Sequence, residues 1–125
     1  MKLPVLESFV LLLYFEVVMR FRTFKTLDEN VRKHRVRPGL SLDQDSREQL
    51  CRAVDLACIF YFKRVHCLQR SAATTVLLRN YGWQAEMVIG AQILPPKFHA
   101  WVEIGQVVMN DKPYMLDIYT VLERC

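Results

Sequence analysis

Apolar residues recur at helical spacing through the first half of the chain and predict a series of helices there. The first helix covers residues 1–21 and is apolar nearly all round, because two sets of residues cover different sides of it. The residues at helical spacing are Leu6, Phe9, Val10, Leu13 and Val17, and the others are Leu12, Phe15 and Met19. We expect this helix to pack into the core. A groove for a partner and a contact with a membrane surface are the alternatives.

Three further helices follow. A less periodic basic stretch, 23–35, predicts the second. Ser46 and Gln49 have the spacing of a capping box, which places the start of the third helix at Ser46, with Asp45 as an alternative cap one residue earlier. The pattern of this helix runs to Phe62. The fourth covers 67–81 and ends at Gly82, a residue suited to the left-handed conformation that follows many helices. It carries a slim face of small residues that permits close packing against a sheet, formed by Ala72, Ala73 and Val76.

Beyond Gly82 the pattern changes to short runs rich in β-branched and aromatic residues. Residues 84–94 predict a strand, and 98–111 predict a hairpin that turns at Gly105. Residues 114–122 form a short terminal element that the pattern does not assign to either type. Helices first and strands later predict an α+β fold with a small, mostly antiparallel sheet.

Length and composition narrow the class of protein. A chain of 125 residues with 52% apolar residues predicts one globular domain and excludes a disordered chain. The net charge of +4 is concentrated in residues 20–37, where seven Lys or Arg face only Asp28 and Glu29. No nucleic-acid-binding motif accompanies these charges, so we expect no nucleic acid partner. A solvated helix face is the favoured interpretation of them, with a docking surface for an acidic peptide as the alternative.

The four cysteines, Cys51, Cys58, Cys67 and Cys125, form no Cys-x-x-Cys pair, and glycine-rich phosphate loops are absent from the sequence. We therefore expect neither a metal site nor a cofactor. Cys51 and Cys58 fit small core residues of the third helix. The first helix has an apolar run too short to span a bilayer and lacks the features of a signal peptide. We expect a cytoplasmic protein with reduced cysteines.

Candidate chemistry centres on Cys67, at the predicted start of the fourth helix, and on His99, 32 residues later. A helix N-terminus favours the thiolate, and its backbone N–H groups can receive an oxyanion. His99 would act as the base and Asp111, at the end of the hairpin, as its orienter. His66 is a rival base, although adjacent side chains diverge. Asp117 is a rival orienter, and Glu103 shares the strand face of His99, where it would contact substrate or face solvent.

The hairpin turn decides whether His99 and Asp111 share a face. A two-residue turn at Gly105 and Gln106 pairs Ile104 with Val107 and puts His99 and Asp111 on opposite faces. A three-residue turn places the two residues directly opposite each other. The triad therefore requires the longer turn or one bulge.

Several motifs together resemble the lasso-peptide leader peptidases, which are transglutaminase-like cysteine proteases of bacterial peptide maturation. The matching stretches are Cys67 to Ser71, Leu78-Arg79 with Gly82, Val88 to Gly90, His99 to Glu103, Asn110-Asp111 and Tyr119 to Leu122. The resemblance implies a papain-like triad of Cys67 as nucleophile, His99 as base and Asp111 as orienter. It also implies cleavage of a precursor peptide at its leader–core junction, before a separate ATP-dependent macrocyclase closes the core.

Three functions follow from this pattern. A leader peptidase is favoured, an acyl transferase or transglutaminase on the same fold is second, and a non-catalytic scaffold is third. We expect one domain, with a helical region at 1–66 and the catalytic core at 67–125. This division leaves no room for a leader-binding domain of ~80 residues, since domains need ~50 residues or more. The expected partners are therefore the precursor peptide and a separate leader-recognition protein, with the macrocyclase as a further candidate.

Overall fold

A computed structural model describes residues 2–21, 24–33, 35–36, 44–62, 65–93, 96–105, 107–109 and 115–125. Within these ranges the chain forms five helices and four strands. They are α1 (Lys2–Phe21), α2 (Phe24–Lys33), α3 (Gln44–Phe60), α4 (Cys67–Asn80), β1 (Ala85–Gln92), β2 (Lys97–Ile104), β3 (Val107–Val108), α5 (Met115–Ile118) and β4 (Thr120–Arg124). Across the described ranges, none of the helices is both long and apolar enough to cross a bilayer.

The four long helices lie close to where the sequence predicts them. α4 begins at Cys67, and Gly82 follows it with a φ of 93°, the left-handed conformation expected of a glycine there. α3 differs at its start, because it begins at Gln44. Ser46 therefore lies inside the helix, and the predicted capping box is not its first turn. Leu50, Val54 and Ala57 on one face of α3 are buried, as is Tyr61 directly after the helix.

The side of α1 that enters the core is not the one that helical spacing indicates. Leu12, Phe15 and Val18 are buried, whereas the outward face of the helix carries a stripe of exposed apolar residues. This outer stripe consists of Leu6, Val10, Leu13, Tyr14, Val17 and Phe21. A helix that is apolar on both sides gives no sequence signal of which side faces in. The expectation that this helix packs into the core is confirmed for one side, and the outer stripe is exposed.

The sheet is antiparallel, with the strand order β3-β2-β1-β4 among the described residues, which confirms the α+β class. β1 and β2 pair along their full length, from Ala85 opposite Ile104 to Gln92 opposite Lys97. β4 pairs with the other edge of β1. The terminal element that the sequence left unassigned falls partly in α5 and partly in β4. One register shift interrupts this pairing, since Ile89 faces Glu123 but Gly90 faces Val121. Leu122 is therefore the extra residue of a β-bulge.

The two faces of the sheet have different cover. α4 packs on one face, where Ala72, Ala73 and Val76 join Met87, Ile89 and Ala100 in one core cluster. The small residues of α4 allow this close approach, as predicted. The other face carries a second cluster of Val88, Trp101 and Met115, the last of these from α5. Because side chains alternate along a strand, His99 and Trp101 belong to this second face.

The hairpin turn is the shorter of the two alternatives. Ile104 pairs with Val107 and Glu103 with Val108, which is the register of a two-residue turn at Gly105 and Gln106. Gly105 has a φ of 56°, as such turns require. The three-residue turn is therefore wrong. The same register extends to a hydrogen bond that the Met109 N–H donates to the Val102 carbonyl, at 2.8 Å.

Candidate active site

Cys67 is the first residue of α4 and its side chain is exposed. The preceding residue, His66, has extended backbone angles and makes no side-chain cap to the helix. His66 is exposed. The side chain of His66 therefore does not cap the backbone N–H groups in the first turn of α4, where Cys67 lies. Such N–H groups at the start of a helix can stabilise an anion.

A buried glutamine fixes the first turn of α4 beneath Cys67. The Gln69 amide donates a hydrogen bond of 2.7 Å to the Leu12 carbonyl in α1. The Tyr61 hydroxyl lies 3.5 Å from the same amide and donates to the Glu16 carboxylate at 2.9 Å. Burial, aided by this bond, raises the pKa of Tyr61 to about 12, so the hydroxyl stays protonated at neutral pH. The start of α4 is thus tied to α1 and to the segment after α3.

Cys67 opens into a cavity of about 530 Å³ between α4 and the sheet. This volume lies in the range of ligand sites in proteins, ~300–1,000 Å³. The lining residues are Cys67 and Leu68 from α4, Ile89 from β1, residues 98–100 from β2, and Leu122 and Glu123 from β4. Cys67 and His99, which the sequence separates by 32 residues, therefore border one cavity.

The imidazole of His99 is held by two aromatic rings. It stacks on Tyr119 with 5.4 Å between ring centroids and on Trp101 with 6.1 Å, at an interplanar angle of 28° in both cases. These rings lie on the face of the sheet opposite α4. His99 thus borders the cavity of Cys67 while its ring packs toward the other side of β2.

Glu103 holds one of these aromatic rings, Trp101, through a buried hydrogen bond. It is 1% exposed, accepts a hydrogen bond of 2.8 Å from the Trp101 indole N–H, and is bonded by Arg124 at 2.9 Å. This bond to Glu103 raises the pKa of Arg124. Both expectations for Glu103, a substrate contact and a solvent-facing residue, are wrong, because a carboxylate buried between a donor and a cation has a structural role.

Asp111 lies outside the described residues, so its position relative to His99 stays a prediction. β3 ends at Val108, and the regular ladder is described only as far as Met109. Were that register to continue, Asp111 would face away from His99. A triad with Asp111 therefore requires the chain to leave the regular ladder after Met109. A bulge there is the alternative to a longer turn that the sequence analysis left open. Asp117 lies in α5, and its side chain is also outside the described part of the structure.

The other cysteines are free thiols in different surroundings. Burial raises the pKa of the Cys51 thiol to about 11, and burial also raises that of Cys58. Both therefore favour the unreactive thiol at neutral pH, in agreement with their interpretation as core residues. Among the described residues no group of His, Cys, Asp or Glu has the arrangement of a metal site.

Comparison with known proteins assigns the chain to a family. A family model of the transglutaminase-like superfamily matches residues 11–124. The chain belongs to this superfamily. It is also 36% identical, over 70 residues, to the microcin J25-processing protein McjB of Escherichia coli. The match covers 54% of this chain and 34% of McjB, so the matched segment spans about a third of that protein. No solved structure matches the chain significantly. The family resemblance indicated by the sequence motifs is thereby confirmed.

Sequence reasoning missed the residues that shape the cavity of this superfamily member. Tyr119, which stacks on His99, and Leu122, which lines the cavity, come from the terminal element that had no assigned type, and Glu123, which also lines the cavity, follows it. The only available signal was the stretch Tyr119 to Leu122 within the family resemblance. Phe98 was predicted to begin the hairpin, but not to line a site.

Proposed function

We propose that this chain is a cysteine peptidase that removes the leader from a ribosomally made lasso-peptide precursor. The observation that carries the proposal is that Cys67 and His99 border one cavity, with Cys67 at the exposed N-terminus of α4. Membership of the transglutaminase-like superfamily and the similarity to a microcin-processing protein support it. The catalytic core in this proposal is 67–125, and it works in the cytoplasm without a cofactor.

In the proposed reaction Cys67 attacks the carbonyl carbon of the scissile peptide bond. His99 takes the thiol proton and returns it to the departing amine, so the C–N bond breaks and a thioester forms. Water then attacks the thioester and His99 accepts a proton from it. The C–S bond breaks, His99 returns the proton to the Cys67 sulfur, and the leader leaves with a new carboxylate. Backbone N–H groups at the start of α4 stabilise the oxyanion in both steps. Asp111 holds the imidazole in the required tautomer.

Proton transfer requires the His99 ring to lie within hydrogen-bond reach of Cys67, about 2.6–3.2 Å. In the structure this ring stacks on Trp101 and Tyr119 at the far face of β2. The working geometry therefore includes a shift of the ring toward the cavity when the precursor binds. Catalytic hydrogen bonds that are long or poorly aligned without substrate often tighten in the Michaelis complex.

The direct test is cleavage of the cognate precursor, followed by mass spectrometry. Cys67→Ala and His99→Ala should each abolish cleavage while the circular dichroism spectrum stays unchanged, because members of a triad act as a unit. Cys125→Ala is the matched control and should retain activity. Full cleavage by Cys67→Ala would exclude the peptidase and would favour a non-catalytic scaffold.

The Asp111→Asn variant tests whether Asp111 or its rival Asp117 orients the His99 imidazole. This change should keep the fold and slow turnover by orders of magnitude, since the imidazole loses the partner that fixes its tautomer. Asp117→Asn serves as the control and should have little effect. The opposite result would transfer the role of orienter to Asp117.

Acyl transfer is the second candidate, because the superfamily is named for transglutaminases and a thioester can react with an amine in place of water. Product mass distinguishes the two outcomes. Hydrolysis adds water across the scissile bond, so the masses of the two fragments sum to that of the precursor plus water. Acyl transfer leaves the acyl fragment joined to the added amine.

We also propose a separate leader-recognition protein as a partner, with the outer stripe of α1 as its docking surface. An exposed apolar stripe of this length is typical of a surface that binds the apolar face of a partner protein. A partner that also holds the leader would tether the precursor and so raise its effective concentration at Cys67. The macrocyclase is a further candidate partner. Val10→Asp and Val17→Asp should remove stimulation by the recognition protein and keep the basal cleavage rate. Unchanged stimulation in both variants would exclude this surface.

A further inference from the structure

The cavity beside Cys67 has a mostly apolar lining. Leu68, Ile89, Ala100, Phe98 and Leu122 supply it, and the last two remain largely exposed, at 75% and 57%. Isolated apolar side chains on a surface need no explanation. Exposed apolar side chains that gather around a candidate nucleophile are different, because ligand pockets are lined mainly by such groups with a few polar ones among them.

The β-bulge in β4 lies at the wall of this cavity. Leu122 and Glu123 are consecutive residues, yet both line the cavity. In a regular strand they would point to opposite faces. The register shift between Ile89 and Gly90 makes Leu122 the extra residue, and bulges next to active sites commonly re-aim a side chain in this way. The position of Leu122 is therefore a built feature of the strand pairing.

The charge at the rim of the cavity is balanced. Glu123 is the lining residue that carries a carboxylate, and Arg32 from α2 bonds it at 2.7 Å. A cationic substrate side chain would have to compete with this guanidinium. An anionic one would meet the carboxylate and the apolar wall. The lining thus favours an uncharged, apolar occupant.

We infer that this cavity is a subsite for an aliphatic or aromatic side chain of the precursor next to the scissile bond, with Leu122 and Phe98 as specificity-determining residues. The identity of the occupant as a peptide side chain rests on the proposed peptidase function. The preference of the cavity for apolar groups rests on its lining alone. The volume exceeds that of a single side chain, so adjoining backbone fits with it.

A test that does not need peptidase activity uses alkylation of Cys67. The probes are iodoacetamide, N-benzyl iodoacetamide and iodoacetate, each rate being divided by the rate of the same probe with glutathione. Labelling is followed at Cys67 by peptide mass spectrometry. We expect the corrected rate of the benzyl probe to exceed that of iodoacetamide by about tenfold, the scale on which a hydrophobic pocket discriminates, and iodoacetate to be slowest.

Leu122→Ser should lower the benzyl preference severalfold and leave the iodoacetamide rate nearly unchanged. Val107→Ser is the matched control, because Val107 is a comparably exposed apolar strand residue in β3 that does not line the cavity. A benzyl preference that is absent, or that Leu122→Ser and Val107→Ser change equally, would overturn the inference. Phe98→Ser provides a second variant should Leu122→Ser fail to fold.

A library of precursors then identifies the substrate position. Each residue flanking the scissile bond is replaced in turn by Leu, Phe, Ser, Asp or Lys, and kcat/KM is measured. One position should prefer Leu and Phe by about tenfold or more, and Leu122→Ser should erase that preference. Equal rates for apolar and polar residues at every position would refute the subsite while leaving the peptidase standing. No cleavage of any precursor, together with a benzyl preference in alkylation, would refute the peptidase and leave the apolar cavity standing.

Discussion

Gly90 lies directly opposite His99 in the ladder between β1 and β2, and its missing side chain leaves the space into which two aromatic residues pack. A Cβ atom built on Gly90 would lie 2.7 Å from the Trp101 ring and 2.9 Å from Tyr119 Cβ. Those two residues are the ones that stack on His99. The glycine in β1 therefore sets the position of the candidate catalytic base in β2.

Gly90→Ala should accordingly displace the aromatic rings and the His99 imidazole with them. We expect a loss of roughly 1–3 kcal/mol in the free energy of unfolding, as for other overpacked cores. Cleavage at a temperature where the variant stays folded should fall by more than tenfold. Chemical denaturation and precursor cleavage measure the two effects.

Gly105→Ala is the control for this change. Gly105 has a φ of 56°, which strains a substituted residue by roughly 1–2 kcal/mol, but an added Cβ meets no atom within 4 Å. It should lose similar stability and keep its activity. Equal activity in the two variants would show that the aromatic packing does not govern His99.

The parts of the fold that sequence reasoning predicted well are those that local chemistry determines. Cys67 begins α4 and Gly82 ends it because helix ends depend on a few adjacent residues. The site needed non-local information. Gly105 is compatible with either turn, and its register is decided by pairing of Ile104 with Val107. The bulge at Leu122 exists only through pairing with β1, some 30 residues earlier, so the composition of β4 carries no sign of it.

Thiol reactivity should distinguish the cysteines. At pH 8 iodoacetamide should modify the exposed Cys67 well before Cys51, which is buried and whose pKa is raised to about 11. Because only the thiolate reacts, labelling of Cys51 should rise as the pH approaches 11 in the folded protein. Peptide mass spectrometry after timed quenching measures both rates. Rapid labelling of Cys51 at pH 8 would contradict its assignment to the core.

Glu103 and Glu86 offer a matched pair of carboxylates on one arginine. Arg124 bonds the buried Glu103 at 2.9 Å and the exposed Glu86 at 3.4 Å. Glu103→Gln should cost about 1–3 kcal/mol, because a buried charge-assisted network loses its anion. Glu86→Gln should cost about 1 kcal/mol at most, as exposed ion pairs do. Urea denaturation of the two variants gives the comparison, and equal losses would mean that burial of Glu103 does not strengthen its bonds.

Gln69 provides the last prediction, since it links the position of Cys67 to the core. Its amide donates to the Leu12 carbonyl at 2.7 Å in a buried site, two residues after the candidate nucleophile. Gln69→Leu removes that bond and leaves the Tyr61 hydroxyl with the Glu16 carboxylate. We expect a loss of about 1–2 kcal/mol in stability, and a fall in kcat larger than the change in KM because the start of α4 can then shift.

Thr74→Val is the control within the same helix, as the Thr74 hydroxyl bonds only the Arg70 carbonyl one turn earlier among the contacts described. It should lose comparable or less stability and keep kcat. If Gln69→Leu also keeps kcat, the anchor stabilises the fold without positioning Cys67.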